Sequence, residues 1–269
     1  MKRIPKIIQS DGSDVPLTAK YQVLSVNGEE SSPRDVLVCR EESVNLRING
    51  VLIATLTASP YELAEFACGY CITEGIIENI DRIQTITVDI PDIHIEAREI
   101  PESSLSRPRE VRTSGCVGLV PEKEDFSRRL PRRITVTRSI LFSAMDRLND
   151  HAVLWRETGG THCTVLFHPS GEDVSWAEDM GRHNSVDKTI GKALLAGIDP
   201  CTTFITCSGR MPEGMIGKFY RAGIPIVVTN NAPSAAGIDL ARRVDMTLAG
   251  FVRPPRMNIY SVPERILLD

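Results

Sequence analysis

Apolar and polar residues alternate with a period of two in the first part of the chain, where short runs over 35–39, 44–48 and 51–56 read as strands. Asn49-Gly50 separates the last two runs, and that dipeptide between alternating runs marks a tight hairpin. The period then lengthens to that of a helix. Ser59 reads as its N-cap, Pro60 as its first helical residue and Glu62 as the acid that closes a capping box. This helix runs to about Glu74 and ends at Gly75, and strand-like runs return over 83–88 and 93–97.

Between Glu99 and Arg133 the pattern breaks. Pro101, Pro108, Pro121 and Pro131 recur, apolar periodicity fades and arginines accumulate, which reads as one long loop. The second half alternates again: strands over 163–167, 174–178, 203–206, 226–228 and 246–249, with helices over 185–196, 213–222 and 234–243. Strands alternating with helices predict βαβ units, right-handed crossovers and an α/β fold with a mostly parallel sheet. Three regions follow: a smaller β-rich region with one helix over 1–99, a mobile loop over 100–133, and an α/β cofactor-binding domain over 134–269.

Composition narrows the class of protein. With 42% apolar residues in 269 the chain can bury a core, and its net charge of -4 excludes a coat of basic charge for duplex nucleic acid. No run approaches the ~20 apolar residues of a membrane helix, and the first residues lack the pattern of a secretory signal, so a cytoplasmic location without membrane contact is expected. The seven cysteines show no disulfide spacing and read as thiols. Cys68 and Cys71 have the spacing of a redox or zinc half-site, but they fall on the apolar stripe of a helix with no second pair nearby and read as core residues.

Cys116 has a different setting. It lies in Thr113-Ser114-Gly115-Cys116-Val117-Gly118, with Arg107, Arg109 and Arg112 before it and Lys123, Arg128, Arg129, Arg132 and Arg133 after it. Positive charge favours a thiolate or a persulfide, although a loop cysteine without a role fits the same residues. Polar turns follow successive strands: Glu178 to Lys188 with Gly181, Arg182 and His183; Cys207-Ser208-Gly209-Arg210; and Thr229 to Ser234, where Ser234 reads as an N-cap. Such strand-to-helix turns form the ligand crevice of open α/β sheets, and a helix N-terminus offers amide donors to a phosphate. Gly250-Phe251-Val252-Arg253-Pro254-Pro255-Arg256 combines an aromatic face with two guanidinium groups, which is the chemistry of nucleotide recognition; a terminal loop with incidental arginines is the alternative.

Taken in order, Thr113 to Cys116, Ala177 to Asn184, Ser208-Gly209-Arg210, Ala222-Gly223-Ile224-Pro225 and Gly250 to Arg256 resemble the FdhD family, as does the helix end Thr73-Glu74-Gly75-Ile76-Ile77. The resemblance implies a cytidine-deaminase-like C-terminal domain and a sulfurtransferase, needed for formate dehydrogenase activity. It implies that sulfur is accepted from a cysteine desulfurase as a persulfide on Cys116 and passed to a molybdenum or tungsten bis(pterin guanine dinucleotide) cofactor. That cofactor is bound as substrate, with no structural metal. It further implies a homodimer whose partners are the desulfurase and the formate dehydrogenase apoenzyme. The family's cofactor-binding stretch falls on Phe251, Val252, Arg253, Pro254, Pro255 and Arg256, and the crevice residues Arg182, His183, Ser208 and Arg210 are expected to join it. Many relatives carry a second cysteine in the loop, whereas Val117 to Val120 follow Cys116 here, so Cys116 would act alone.

Two other functions compete. A zinc deaminase would need a histidine or cysteine, a glutamate two residues on and a Cys-x-x-Cys pair; His94-Ile95-Glu96 mimics the first part, but Cys201 has no second cysteine at the required spacing. A chaperone that binds the cofactor without moving sulfur would keep the crevice and not depend on Cys116.

Overall fold

The computed structural model describes residues 4–9, 15–101, 105, 110–112 and 126–268. Cys116 and most of the arginine-rich stretch before Phe126 lie outside these residues. Among them two six-stranded sheets are joined through a pair of helices that share the space between them.

The first sheet has the order β1 (Lys6–Gln9), β6 (Ile83–Asp89), β7 (Asp92–Ala97), β4 (Glu42–Ile48), β5 (Val51–Ala58) and β8 (Glu110–Arg112). Val44, Leu46 and Ile48 of β4 all point into the core, as the alternation requires. The β4–β5 hairpin turns at Asn49 and Gly50, which hold φ of 49° and 81°, the left-handed pair that a two-residue turn needs. The backbone of β8 pairs in parallel with β5, so the stretch expected to be a single long loop contains a strand. β2 (Thr18–Asn27) and β3 (Glu30–Cys39) form a separate two-stranded ribbon, longer than the short strands expected there.

Helix α1 (Leu63–Thr73) is buried at nearly every position, because it is covered by the first sheet on one side and by a second helix on the other. Cys68 and Cys71 are both fully buried, and burial pushes the Cys68 thiol up to about 12. The capping box expected at Ser59 does not form. The helix starts four residues later, with Glu62 as N-cap in a left-handed conformation. Ser59 is drawn elsewhere: its N–H donates to Asp179, its hydroxyl accepts from the Met180 N–H, and its carbonyl accepts from Lys188.

The second sheet has the order β11 (Asp173–Asp179), β10 (His162–Phe167), β12 (Phe204–Cys207), β13 (Ile226–Thr229), β14 (Thr247–Arg253) and β15 (Arg256–Ser261). It is mixed rather than mostly parallel. β12, β13 and β14 run parallel, while β10 is antiparallel to both its neighbours and β15 is antiparallel to β14. The connections explain the difference. A parallel pair needs a crossover of a dozen or more residues, and only β12–β13 and β13–β14 have one, carrying α5 (Glu213–Arg221) and α6 (Ala235–Arg243). The turn at Gly171 and the Pro254-Pro255 turn are too short for anything but hairpins.

Both faces of this sheet are covered. α4 (Arg182–Leu195), α5 and α6 pack on one face through Val186, Ile190, Met215, Phe219 and Leu240. After the short strand β9 (Val136–Thr137), α2 (Arg138–His151) packs on the other through Leu141, Ala144, Met145 and Leu148, and the short α3 (Val153–Thr158) follows it. Neither α2 nor α3 was expected, although 141, 144, 145 and 148 carry the helical i, i+3, i+4, i+7 spacing.

α1 and α4 cross with backbones in contact. A Cβ on Gly69 would lie 1.8 Å from the Asp187 carbonyl oxygen, and one on Gly191 would lie 1.9 Å from that of Glu65. Beside this crossing lie two fully buried ion pairs of the second half, Lys188 to Asp179 at 2.7 Å and Lys218 to Asp187 at 2.8 Å, and the same lysines reach the first half through the Ser59 carbonyl and the Thr73 hydroxyl.

Candidate functional site

Because β10 runs against β12, its first residue stands beside the last residues of the parallel strands. His162 opposes Asp179 of β11, and the Ser208 N–H donates to the Cys163 carbonyl. The ends of β11, β12, β13 and β14 and the start of β10 therefore share one edge, where open α/β sheets bind ligands. That edge holds a cleft of about 370 Å³ lined by Asn149, Trp155, Gly160, Thr161, His162, Met180, Ser208, Asn230, Asn231 and Arg253, among others. The volume suits one nucleotide-sized group. None of the described residues lining it is Asp or Glu.

Ser208 fixes the histidine. Its hydroxyl oxygen accepts the Cys163 N–H at 3.0 Å and lies 3.3 Å from His162 Nδ1; in the tautomer whose Nδ1 accepts from this hydroxyl, the imidazole proton is on Nε2. Burial holds the His162 pKa below its usual value, and the charges of Arg182 and Arg210 add to this against the opposing pull of Asp179. The Arg182 side chain crosses Gly209: a Cβ on Gly209 would meet Arg182 Cβ at 3.0 Å and Cδ at 3.1 Å. Arg182 Nε is buried there without a hydrogen-bond partner among the described residues.

The acidic pair of the Glu178 to Asn184 segment is structural. Glu178 is buried and accepts from the backbone N–H of Leu154 and Trp155 and from the Thr161 hydroxyl, so it holds the start of α3 at the cleft wall. Asp179 accepts from Ser59, Gly181, Asn184 and Lys188. The start of α4, read from sequence as a phosphate site, thus already has a carboxylate beside it. The helix also begins at Arg182 rather than Ser185, which puts Arg182 and His183 in its first turn.

Of the expected ligand residues, Ser208 and Arg253 line the cleft. Arg182 packs against Gly209, next to Ser208, without lining the cleft; it and the exposed Arg210 are close enough for their charges to act on His162. His183 is half-buried and is not part of the lining. The stretch from Gly250 to Arg256 is the end of β14 and its turn into β15, not a terminal loop. Phe251 is exposed, and its N–H donates to the Asn231 carbonyl at 3.1 Å, whereas the Val252 side chain is buried in the core. Pro254, Pro255 and Arg256 are exposed at the turn and do not line the cleft.

The sequence reading did not single out His162, Trp155, Asn149, Asn230 or Asn231 as ligand residues. The two asparagines sat in a turn already read as polar. His162 was hidden by the expectation of parallel strands, which would have placed the start of β10 at the opposite edge. The zinc-like residues do not meet: His94 lies on β7 of the first sheet, whereas the Cys201 thiol packs against Gly223 beside the second.

Known proteins resemble this chain over most of its length. A chain from Methanothermobacter thermautotrophicus named sulfur carrier protein FdhD is 40% identical over 231 residues, covering 86% of this chain and 91% of its own. A Streptomyces avermitilis protein of the same name is 31% identical over 272 residues, covering 94% and 96%. A crystal structure from Desulfotalea psychrophila, described as a formate dehydrogenase accessory protein, superposes with a TM-score of 0.77 at 25% identity and covers 94% of this chain and 100% of its own. A model of the FdhD/NarQ family matches residues 39–267. The chain belongs to the FdhD/NarQ family.

Proposed function

We propose that this chain is a sulfur carrier that takes sulfur as a persulfide on Cys116 and delivers it to a molybdenum or tungsten bis(pterin guanine dinucleotide) cofactor for formate dehydrogenase. The name shared by its relatives supports the carrier role. In the loading step the Cys116 thiolate attacks the outer sulfur of a persulfide on the cysteine desulfurase. The donor's own thiolate leaves, and one sulfur atom moves without net oxidation. The protein works as a cytoplasmic homodimer that meets the desulfurase and the formate dehydrogenase apoenzyme in turn.

The observation that carries the acceptor half is the cleft at the strand edge, with a wall free of carboxylates and with Arg182, Arg210 and Arg253 at or beside it. Guanidinium groups match phosphate oxygens in geometry and charge. The cleft takes one guanine nucleotide end of the cofactor, and the pterin and metal extend beyond it. Mass spectrometry after incubation with a cysteine desulfurase and cysteine tests the carrier role: the wild type gains one sulfur atom and Cys116→Ala gains none. Full sulfur loading of the alanine variant would remove Cys116 from the mechanism and favour the cofactor-binding chaperone.

A further inference from the structure

We propose that His162 is a ligand-binding residue of the cleft, donating from Nε2 to a phosphate oxygen of a guanine nucleotide that the Arg182 guanidinium also holds. This rests on the nucleotide reading of the cleft and names the group within it that makes the contact. The imidazole is oriented before any ligand arrives, since Ser208 occupies Nδ1 and is itself held by the Cys163 N–H. His162 lines the cavity, and with the Ser208 hydroxyl donating to Nδ1 its ring proton is on Nε2. Arg182 Nε adds a second donor that is buried and has no partner among the described residues. A buried donor left unpaired destabilises the empty cleft, so an acceptor brought by a ligand recovers that loss.

The ligand class follows from charge. The groups that face His162 electrostatically are Arg182 on α4, Arg210 after β12 and Asp179 at the end of β11. Asp179 is already paired with Lys188, so the balance at the imidazole is positive. An anion with several acceptor oxygens fits that balance, and a cation or an apolar group does not.

Binding must then be linked to protons. Burial and the two arginines depress the His162 pKa in the empty cleft, and a bound phosphate raises it again. The complex therefore takes up a proton, and affinity rises as pH falls through the interval between the two values. His162→Gln keeps a donor near the Nε2 position and removes the titration.

The test is calorimetric titration of the full chain and its variants with GDP and with guanosine, from pH 5.5 to 8. His162→Ala is expected to weaken GDP binding at least tenfold and to leave guanosine binding unchanged. His162→Gln is expected to bind GDP nearly as tightly as the wild type at pH 8 and to lack the wild type's extra strengthening at pH 5.5. The ligand's own titration is common to both proteins and cancels in that ratio. Should the wild type bind GDP while His162→Ala binds it equally well, or should GDP and guanosine lose affinity alike, the contact is wrong and the nucleotide reading stands. If the wild type binds no GDP at any pH, the nucleotide reading falls and this inference falls with it. Failure of His162→Ala to fold leaves His162→Gln decisive, because equal pH profiles for it and the wild type would overturn the assignment.

Discussion

Glu178 Oε1 accepts the backbone N–H of Trp155 at 2.9 Å, so an acid from the most distinctive segment of the sequence fixes the wall of the cleft rather than entering it. The same carboxylate takes the Leu154 N–H and the Thr161 hydroxyl, both at 2.7 Å. It anchors α3 and the start of β10, the two elements that carry Trp155 and His162.

Glu178→Ala should therefore cost on the order of 3 kcal/mol, because it leaves buried donors without an acceptor. GDP binding should weaken with it, although Glu178 does not line the cleft. Urea denaturation and calorimetry read the two effects, and a fully stable variant with normal affinity would contradict the anchoring role.

Gly69→Ala and Gly191→Ala should each prevent stable folding. The added methyl group would stand 1.8 Å and 1.9 Å from a carbonyl oxygen of the facing helix, and that backbone can recede only by separating α1 from α4. Soluble yield and the thermal midpoint measure this. A midpoint within a few degrees of the wild type would show that the helices tolerate a wider spacing.

Cys68→Ala should cost about 1–2 kcal/mol, the usual cost of a small cavity in a packed helix, while sulfur loading persists. Persulfide mass spectrometry on this variant is the control for the corresponding Cys116 experiment. Loss of loading here would mean that the buried thiol takes part in transfer.

Most of this architecture was legible because local chemistry settles it. Asn49-Gly50 can turn only one way at low cost, Gly75 ends α1 with φ of 65°, and Ser234 caps α6 through the Gly237 N–H. The capping box at Ser59 was not legible, since its competitors Asp179, Met180 and Lys188 lie over a hundred residues away. The strand directions were misread for a related reason. A run such as 163–167 carries the same apolar pattern in either direction, and the length of its connections decides. The site shared that fate: Ser208 and Arg253 were identified from their turns, while His162 became visible only once β10 was known to run against β12.

Asp187 makes the protein's stability depend on pH in a particular way. Burial, opposed by Lys218, pushes its pKa from 3.8 up to about 6, so the folded state binds a proton that the unfolded chain has released. Its contribution is therefore fully present below about pH 4 and falls away as pH rises to about 6, by roughly 3 kcal/mol for a shift of this size. Asp187→Asn keeps acceptors for Thr73 and Lys218 and removes the titration, while Lys218 retains Glu74 at 2.6 Å. Denaturation at pH 4 and pH 7 should show the variant gaining on the wild type as pH rises, and a constant difference would place the Asp187 pKa near its ordinary value.

The two arginines of the β14–β15 turn should prove unequal. Arg253 and Arg256 are register partners across the hairpin, yet only Arg253 lines the cleft. An exposed guanidinium outside the cavity contributes a screened charge, whereas one at its wall can form a bidentate bond to phosphate with less competition from water. Arg253→Ala should thus weaken GDP binding about tenfold or more, and Arg256→Ala by less than threefold, a loss that shrinks further as salt is raised. Persulfide loading of Cys116 should be unaffected in both, which separates acceptance of sulfur from capture of the cofactor. Titrations at two salt concentrations decide the point. If Arg256→Ala were the more damaging change, the nucleotide would lie along the outer face of the hairpin beside Phe251, and the cleft around His162 would lose its claim to the phosphate.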